Sequence, residues 1–175
     1  MKNLFISLIL SGSLILSCSK NDSEYQASGS PTVEIKGFEV RDDNGYTLAD
    51  IGNPDIKNHT SETSAPYQLF MISFPNPARD VTEMIFSTRQ VNVVARIWIV
   101  PATFQDPGKG MTTFSGMTMI APAERPLLDT TILMASNQHA LQIRNLPEGF
   151  YRVYLKSQGI LLWDNIVFSN TFQYH

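Results

Sequence analysis

The chain has 175 residues, a formal charge of −3, one cysteine and 43% hydrophobic residues. That length suits one domain with a sizeable core, and the mildly acidic balance lacks the basic footprint that nucleic-acid binding requires. A single cysteine forms no intrachain disulfide and no thiolate metal cluster, so packing must supply the stability.

The chain opens on Lys2, followed by the apolar runs Leu4 to Leu10 and Leu14 to Leu16 with Ser11-Gly12-Ser13 between them. A charged start and a short apolar middle are the parts of a secretory signal peptide. The run falls short of the roughly 20 apolar residues that a spanning helix needs. Ile15-Leu16-Ser17-Cys18 resembles the lipobox of bacterial lipoproteins: a branched aliphatic residue, a small residue before the cut, then the cysteine that is acylated. The resemblance implies a signal peptide over residues 1–17, cleavage between Ser17 and Cys18, and a diacylglycerol thioether on the Cys18 sulfur. Two or more acyl chains, at about 0.8 kcal/mol per buried methylene, anchor a protein durably. The expected location is therefore the outer membrane, and the covalent lipid is the only prosthetic group expected. Removing 17 residues leaves 158, and the loss of Lys2 takes the formal charge from −3 to −4.

Residues 18–31 are the lipidated cysteine and a polar, small-residue stretch without periodicity, the composition of a flexible tether. From Ser19 to Pro31 the reach is about 43 Å extended and about 20 Å on average, enough to carry a domain clear of the headgroups. Lys20-Asn21-Asp22 also resembles the export tag that takes some lipoproteins to the outer face of the outer membrane. That implies exposure at the cell surface.

Residues 32–175 read as one all-β domain: short runs rich in Val, Ile, Phe and Tyr, separated by Gly, Pro, Asn and Asp clusters. Val33, Ile35 and Val40 belong to a first strand region that ends at Asp42-Asp43-Asn44-Gly45, and Tyr46 to Ile51 is its expected return partner. Asn-Gly is the strongest short hairpin signal. Calcium ligation by this acidic cluster is the weaker reading, since the glycine falls too early for an EF-hand loop and no glutamate closes it. Gly52 to Pro66 is polar and predicts a long surface loop.

The main body begins at Tyr67 to Phe74 and continues through strands expected near 81–87, 92–100, 112–120, 130–135, 140–144, 150–157 and 160–168. About eight strands in about a hundred residues is the density of an antiparallel immunoglobulin-like β-sandwich with Greek-key connections. Alternation is cleanest where Val93, Ala95, Ile97 and Ile99 share one face, and where Tyr151, Val153 and Leu155 share another; these faces are expected to meet in the core. Leu146-Pro147-Glu148-Gly149-Phe150-Tyr151 has the spacing of a tyrosine corner, which assigns Tyr151 a structural bond to upstream backbone.

Over about residues 67–168 the body resembles the C-terminal sorting domains of proteins exported by bacterial type IX secretion. Phe74-Pro75-Asn76-Pro77-Ala78-Arg79-Asp80 matches their opening turn, and Leu141 to Val153, with Gly149 and Tyr151, matches their closing strands. The resemblance implies an antiparallel sandwich of seven or more strands that the secretion machine reads. Three features depart from the pattern: the lipobox at the start, a long turn expected at Pro101 to Gly110 where the family has a tight one, and a run past Ile166-Val167-Phe168 into Ser169 to His175 without the family's usual basic last strand.

No catalytic constellation is found. His59, His139 and His175 stand at no metal spacing and read as solvated loop or tail residues, and no nucleophile elbow or phosphate loop occurs. The candidate binding residues are aromatic: Trp98, Tyr154 and Trp163, with Phe104, beside Arg96 and Asp164. Exposed rings next to polar groups make a sugar-stacking or protein-docking platform; rings are equally at home in a core. Asp129-Thr130-Thr131 resembles an acceptor motif for O-linked glycans in such lipoproteins. The expected function is a non-catalytic binding module, anchored to the membrane, whose partner is a polysaccharide or another envelope protein. A glycan-binding accessory and a sorting-domain-like role are the two specific forms of it.

Overall fold

The computed structural model describes residues 33–60, 68–105 and 126–172. Cys18, the tether, His175 and the strand expected at 112–120 lie outside the described residues. Within them the chain is all-β, with ten strands: β1 (Val33–Ile35), β2 (Gly37–Arg41), β3 (Thr47–Gly52), β4 (Leu69–Phe74), β5 (Val81–Thr88), β6 (Val93–Phe104), β7 (Leu128–Met134), β8 (Gln138–Arg144), β9 (Gly149–Ser157) and β10 (Ile160–Phe168).

Two sheets form the sandwich. The smaller runs β4-β5-β8, antiparallel throughout. The larger runs β10-β9-β6, and the far edge of β6 is shared between β7, antiparallel along Val93 to Ile99, and β1, parallel along Ala102 to Phe104. Counting from β4, one sheet takes the first, second and fifth strands and the other takes the third, fourth, sixth and seventh, the Greek-key arrangement of an immunoglobulin-like sandwich. The β6 strand runs through Pro101 to Phe104, where a turn is expected from the sequence. Parallel pairing with β1 extends it, and Pro101, which has no ladder donor, falls in the gap between its two partners.

The alternating sets of β6 and β9 do not meet face to face as expected. Ile97 pairs with Leu155 and Ile99 with Val153 in one sheet, so the two sets lie side by side. Together they face Leu69, Met71, Met84, Phe86 and Ile143 of the smaller sheet, with Met134, Leu162, Ile166 and Phe168 completing the core. At about 1.5–3 kcal/mol for each large buried side chain, this cluster is the principal source of stability.

A second core lies on the other side of the larger sheet. The β2–β3 hairpin covers one end of that face, packing Phe38 and Val40, with Ile35 of β1, against Ala102, Phe150 and Val167. Phe150 stacks on Phe104 at 5.1 Å and lies 6.2 Å from Phe38. The hairpin turn is fixed by Asp42, whose carboxylate accepts the N–H groups of Asn44 and Tyr46, both at 2.9 Å, with Gly45 at φ 83°. These bonds hold the Asp42 carboxyl below the usual carboxylate range, the Tyr46 N–H contributing most. At the other end of the hairpin Gly37 pairs with Gly52, and the backbones approach so closely that a Cβ on Gly37 would run into the Ile51 carbonyl and Asn53.

The segment after β3 is not a loop hanging in solvent. Lys57 forms a bridge with Trp163 of β10 and His59 with Phe70 of β4, so residues 57–59 strap the side where the two sheets' edges come together.

Candidate functional site

The end of the larger sheet's outer face that the hairpin leaves uncovered carries an aromatic row. Period-two alternation turns Arg96 and Trp98 of β6, Tyr154 and Lys156 of β9 and Trp163 of β10 away from the main core. Strand register then aligns them. Asp129 of β7 pairs with Trp98, Trp98 with Tyr154, Tyr154 with Trp163, and Trp163 with Lys57. Trp98, Tyr154 and Trp163, three of the aromatic candidates, thus stand in one line across the strands. All three are half-buried.

Within the row the rings are engaged with neighbours. Trp98 and Tyr154 stack on each other at 4.9 Å and 12°, and the Arg96 guanidinium lies over Trp98 at 5.3 Å. Arg96 also donates from Nε and Nη2 to the two oxygens of Asp129, at 2.9 and 2.8 Å. These bonds are the main cause that holds the Asp129 carboxyl below its ordinary range, against a small desolvation. Trp163 has Lys57 over its ring at 5.6 Å, and its indole N–H donates to the Asp55 carbonyl at 2.7 Å. The rings therefore form a braced rib, with cations at its ends, and not a flat slab of open ring faces.

Asp164 does not belong to this face. It is adjacent to Trp163 in a strand, so it points the opposite way, and its side chain is wholly buried against Arg41. Arg41 of β2 donates from Nη1 to Asp164 at 2.6 Å and to the Ser73 carbonyl at 3.0 Å, and from Nη2 to Glu39 at 2.7 Å. Asp164 also accepts the N–H groups of Ser73 and Asn165. Burial disfavours the Arg41 cation, but Asp164 and Glu39 outweigh that and raise its pKa. The group is a lock joining the hairpin to both sheets.

Asp55 forms a second tie. It accepts from Lys36 N–H at 3.1 Å, Asn165 Nδ2 at 2.9 Å and the Arg152 guanidinium. Burial pushes its pKa up, but these donors prevail and hold the carboxyl below the usual range.

The two stretches that carry the resemblance to sorting domains meet at one end of the sandwich. Asn76 is buried, donating to the carbonyls of Glu39 and Asn165 and accepting the Val167 N–H at 2.8 Å. The bonds Phe74-Pro75 and Asn76-Pro77 on either side of it are cis. Ala78 bridges to Phe168 beside Tyr151, whose hydroxyl donates to the Pro147 carbonyl at 2.6 Å. Gly149 is buried and pairs with Phe168.

Two further assignments change. Phe104 belongs to the second core, stacked on Phe150. His139 lies on β8, half-buried and stacked on Phe86 at 5.6 Å, where a solvated loop residue is expected from the sequence. Lys57 and Asp55 are part of the row's surroundings that sequence reasoning missed: a polar loop residue carries no signal that it will pair with a strand about a hundred positions away.

No family model matches this chain, and no curated protein and no solved structure is significantly similar to it.

Proposed function

We propose that this chain is a lipid-anchored protein of the bacterial outer membrane, held by acyl chains on Cys18, whose sandwich is a non-catalytic binding module. Its binding face is the uncovered end of the larger sheet. The observation that carries this is the row Trp98-Tyr154-Trp163, three half-buried aromatic side chains brought into one register on a solvent-facing surface. Half-buried rings beside charged groups recur at recognition surfaces, where one part of the side chain is apolar and its neighbours give direction. The buried charged pair of the described residues, Arg41 and Asp164, is engaged in holding the hairpin, whereas the charged groups of the row, Arg96 and Lys156, are exposed.

Two measurements test the reading. Cys18→Ala should abolish fatty-acid labelling and release the protein from membranes; retained labelling removes the anchor. Crosslinking on intact cells with the lipidated chain should recover one polysaccharide or envelope-protein partner, and Trp163→Ala should lose it while the chain stays folded. A partner kept by that variant counts against the face.

The convergence of the Phe74 to Asp80 turn and the Tyr151 closure at one end of the sandwich favours a second reading, a sorting-domain-like signal for type IX secretion. Residues 32–175, placed behind a reporter with an ordinary signal peptide, should then carry it out of the cell. The hairpin must be included, since it covers Phe150 and Val167. Periplasmic retention of that reporter ends this reading.

A further inference from the structure

We infer that the ligand class of this face is an acidic polysaccharide, one whose sugar units carry carboxylates. The inference rests on the face being a binding site, as proposed above, and goes further in assigning what it binds. A neutral sugar is held chiefly by an open ring face against which its apolar C–H surface lies. In the row, Trp98 is already engaged by Tyr154 at 4.9 Å and by Arg96 at 5.3 Å, and Trp163 by Lys57 at 5.6 Å. The part of the site that stays unsatisfied is cationic.

Four cations stand on or beside this face, and they divide in two. Arg96 is matched by Asp129 and Arg152 by Asp55. Lys57 and Lys156 are exposed, and neither has a carboxylate within ion-pair distance among the described residues. Lys156 also sits directly opposite Arg96 in the β6–β9 register, a like-charge pairing that is unfavourable in the free protein and that a bound anion relieves. A chain of net charge −3 thus keeps two positive charges without a carboxylate partner among the described residues on this aromatic face.

The spacing suits an extended polymer. Lys57 lies one row and two strands from Lys156, a backbone separation of about 12 Å given strand spacings of about 4.8 Å and a rise of about 3.4 Å per residue. Trp163 stands between Lys57 and Tyr154 in the row, and Lys156 follows two residues after Tyr154 on the same strand face. An acidic sugar offers both halves of what this arrangement recognises: a carboxylate at the ring's rim and an apolar ring surface beside it. An acidic peptide supplies the charge without the surface, and a neutral glucan the surface without the charge.

Affinity electrophoresis of the full chain in detergent tests this, with polygalacturonate in the gel as the acidic probe and a soluble neutral glucan as its counterpart. Polygalacturonate should retard the protein and the neutral glucan should not, and added salt should weaken the effect. Lys57→Ala with Lys156→Ala should weaken retardation by about tenfold, the size expected for two exposed ion pairs. Lys57→Arg with Lys156→Arg should keep it. Retardation by the neutral glucan that the lysine variant leaves unchanged and Trp163→Ala removes would overturn the acidic assignment while sparing the binding face. Retardation by neither polymer, or retardation that no variant of the row alters, overturns both. Equal retardation by inorganic polyphosphate, lost in the same lysine variant and kept in Trp163→Ala, would make the lysines a general anion site and overturn the assignment to sugar.

Discussion

The outer face of the larger sheet is two regions made from the same three strands. At one end Ala102, Phe150 and Val167 lie under the hairpin with Ile35, Phe38 and Val40. At the other end the same alternation turns out Trp98, Tyr154 and Trp163, with Arg96 over Trp98 and the exposed Lys156 beside them. Both ends are aromatic, so hydrophobicity does not distinguish them. What differs is the company: the covered end has aliphatic neighbours and a buried polar lock at its border, whereas the open end has cations that stay solvated. Aromatic residues beside aliphatic ones recruit a covering element. The same residues beside arginine and lysine are left facing out.

The comparison breaks most easily at the lock. Asp164→Ala leaves the Arg41 guanidinium buried with only Glu39 as its charged partner, and removing one partner of a buried pair costs about 3–5 kcal/mol. For a domain of this size that lowers Tm by about 6–20 °C, read by thermal unfolding. Arg41→Met combined with Asp164→Leu should recover most of the loss, because the uncompensated charge is then gone. A loss under about 1 kcal/mol for Asp164→Ala would mean that the hairpin is held by its apolar contacts alone.

The next effect lies at the hairpin's own hinge. Gly37→Ala forces a Cβ against the Ile51 carbonyl and Asn53, and overpacking of that kind costs about 1–3 kcal/mol. Loss of amide protection in residues 37–52, with the main sandwich protected as before, is the expected pattern in hydrogen exchange. A uniform loss would show that the two regions unfold as one.

Much of this division was legible in the residues. Alternation identified the inward sets of β6 and β9, Asn44-Gly45 the hairpin turn, and the Gly149 to Tyr151 spacing pointed at a phenol that bonds to Pro147. Alternation also contained the correction it did not deliver: Asp164 follows Trp163 in a strand, so the two cannot share a face. Other features were beyond local pattern. Alternation says which residues share a face but not which sheet a strand joins, so the β6 and β9 sets were expected to oppose each other when they lie side by side. β1 is three residues long, too short to show any period, and its parallel pairing depends on an edge supplied by residues 102–104. Lys57 meets Trp163 only because the strap closes the sandwich.

Within the main sandwich the Tyr151 hydroxyl gives a smaller effect and a pH signature. Tyr151→Phe removes one buried hydrogen bond, worth about 0.5–1.5 kcal/mol at neutral pH. Burial also pushes the phenol's pKa up in the folded chain. A raised pKa means that its contribution is fully present below the unfolded value of about 10 and is lost as pH rises beyond it. The wild-type chain should therefore lose stability above about pH 10, and Tyr151→Phe should flatten that limb of the profile. An unchanged alkaline limb in the variant would show that another group controls it.

The smallest effects on stability are expected in the aromatic row, and their smallness is what separates a presented surface from a core. Trp98→Ala gives up a ring stack with Tyr154, worth about 0.5–1.5 kcal/mol beyond the area it buries. Arg96→Ala gives up an exposed ion pair with Asp129, worth about 0.2–1 kcal/mol and weaker still as salt screens it. A small cost at Trp98 would mean that stability alone does not account for the place of this ring, in keeping with the binding face proposed above. Equilibrium denaturation of Trp98→Ala decides the matter: a cost near that of Asp164→Ala would make the row a third core, and the contrast between the two ends of the sheet would disappear.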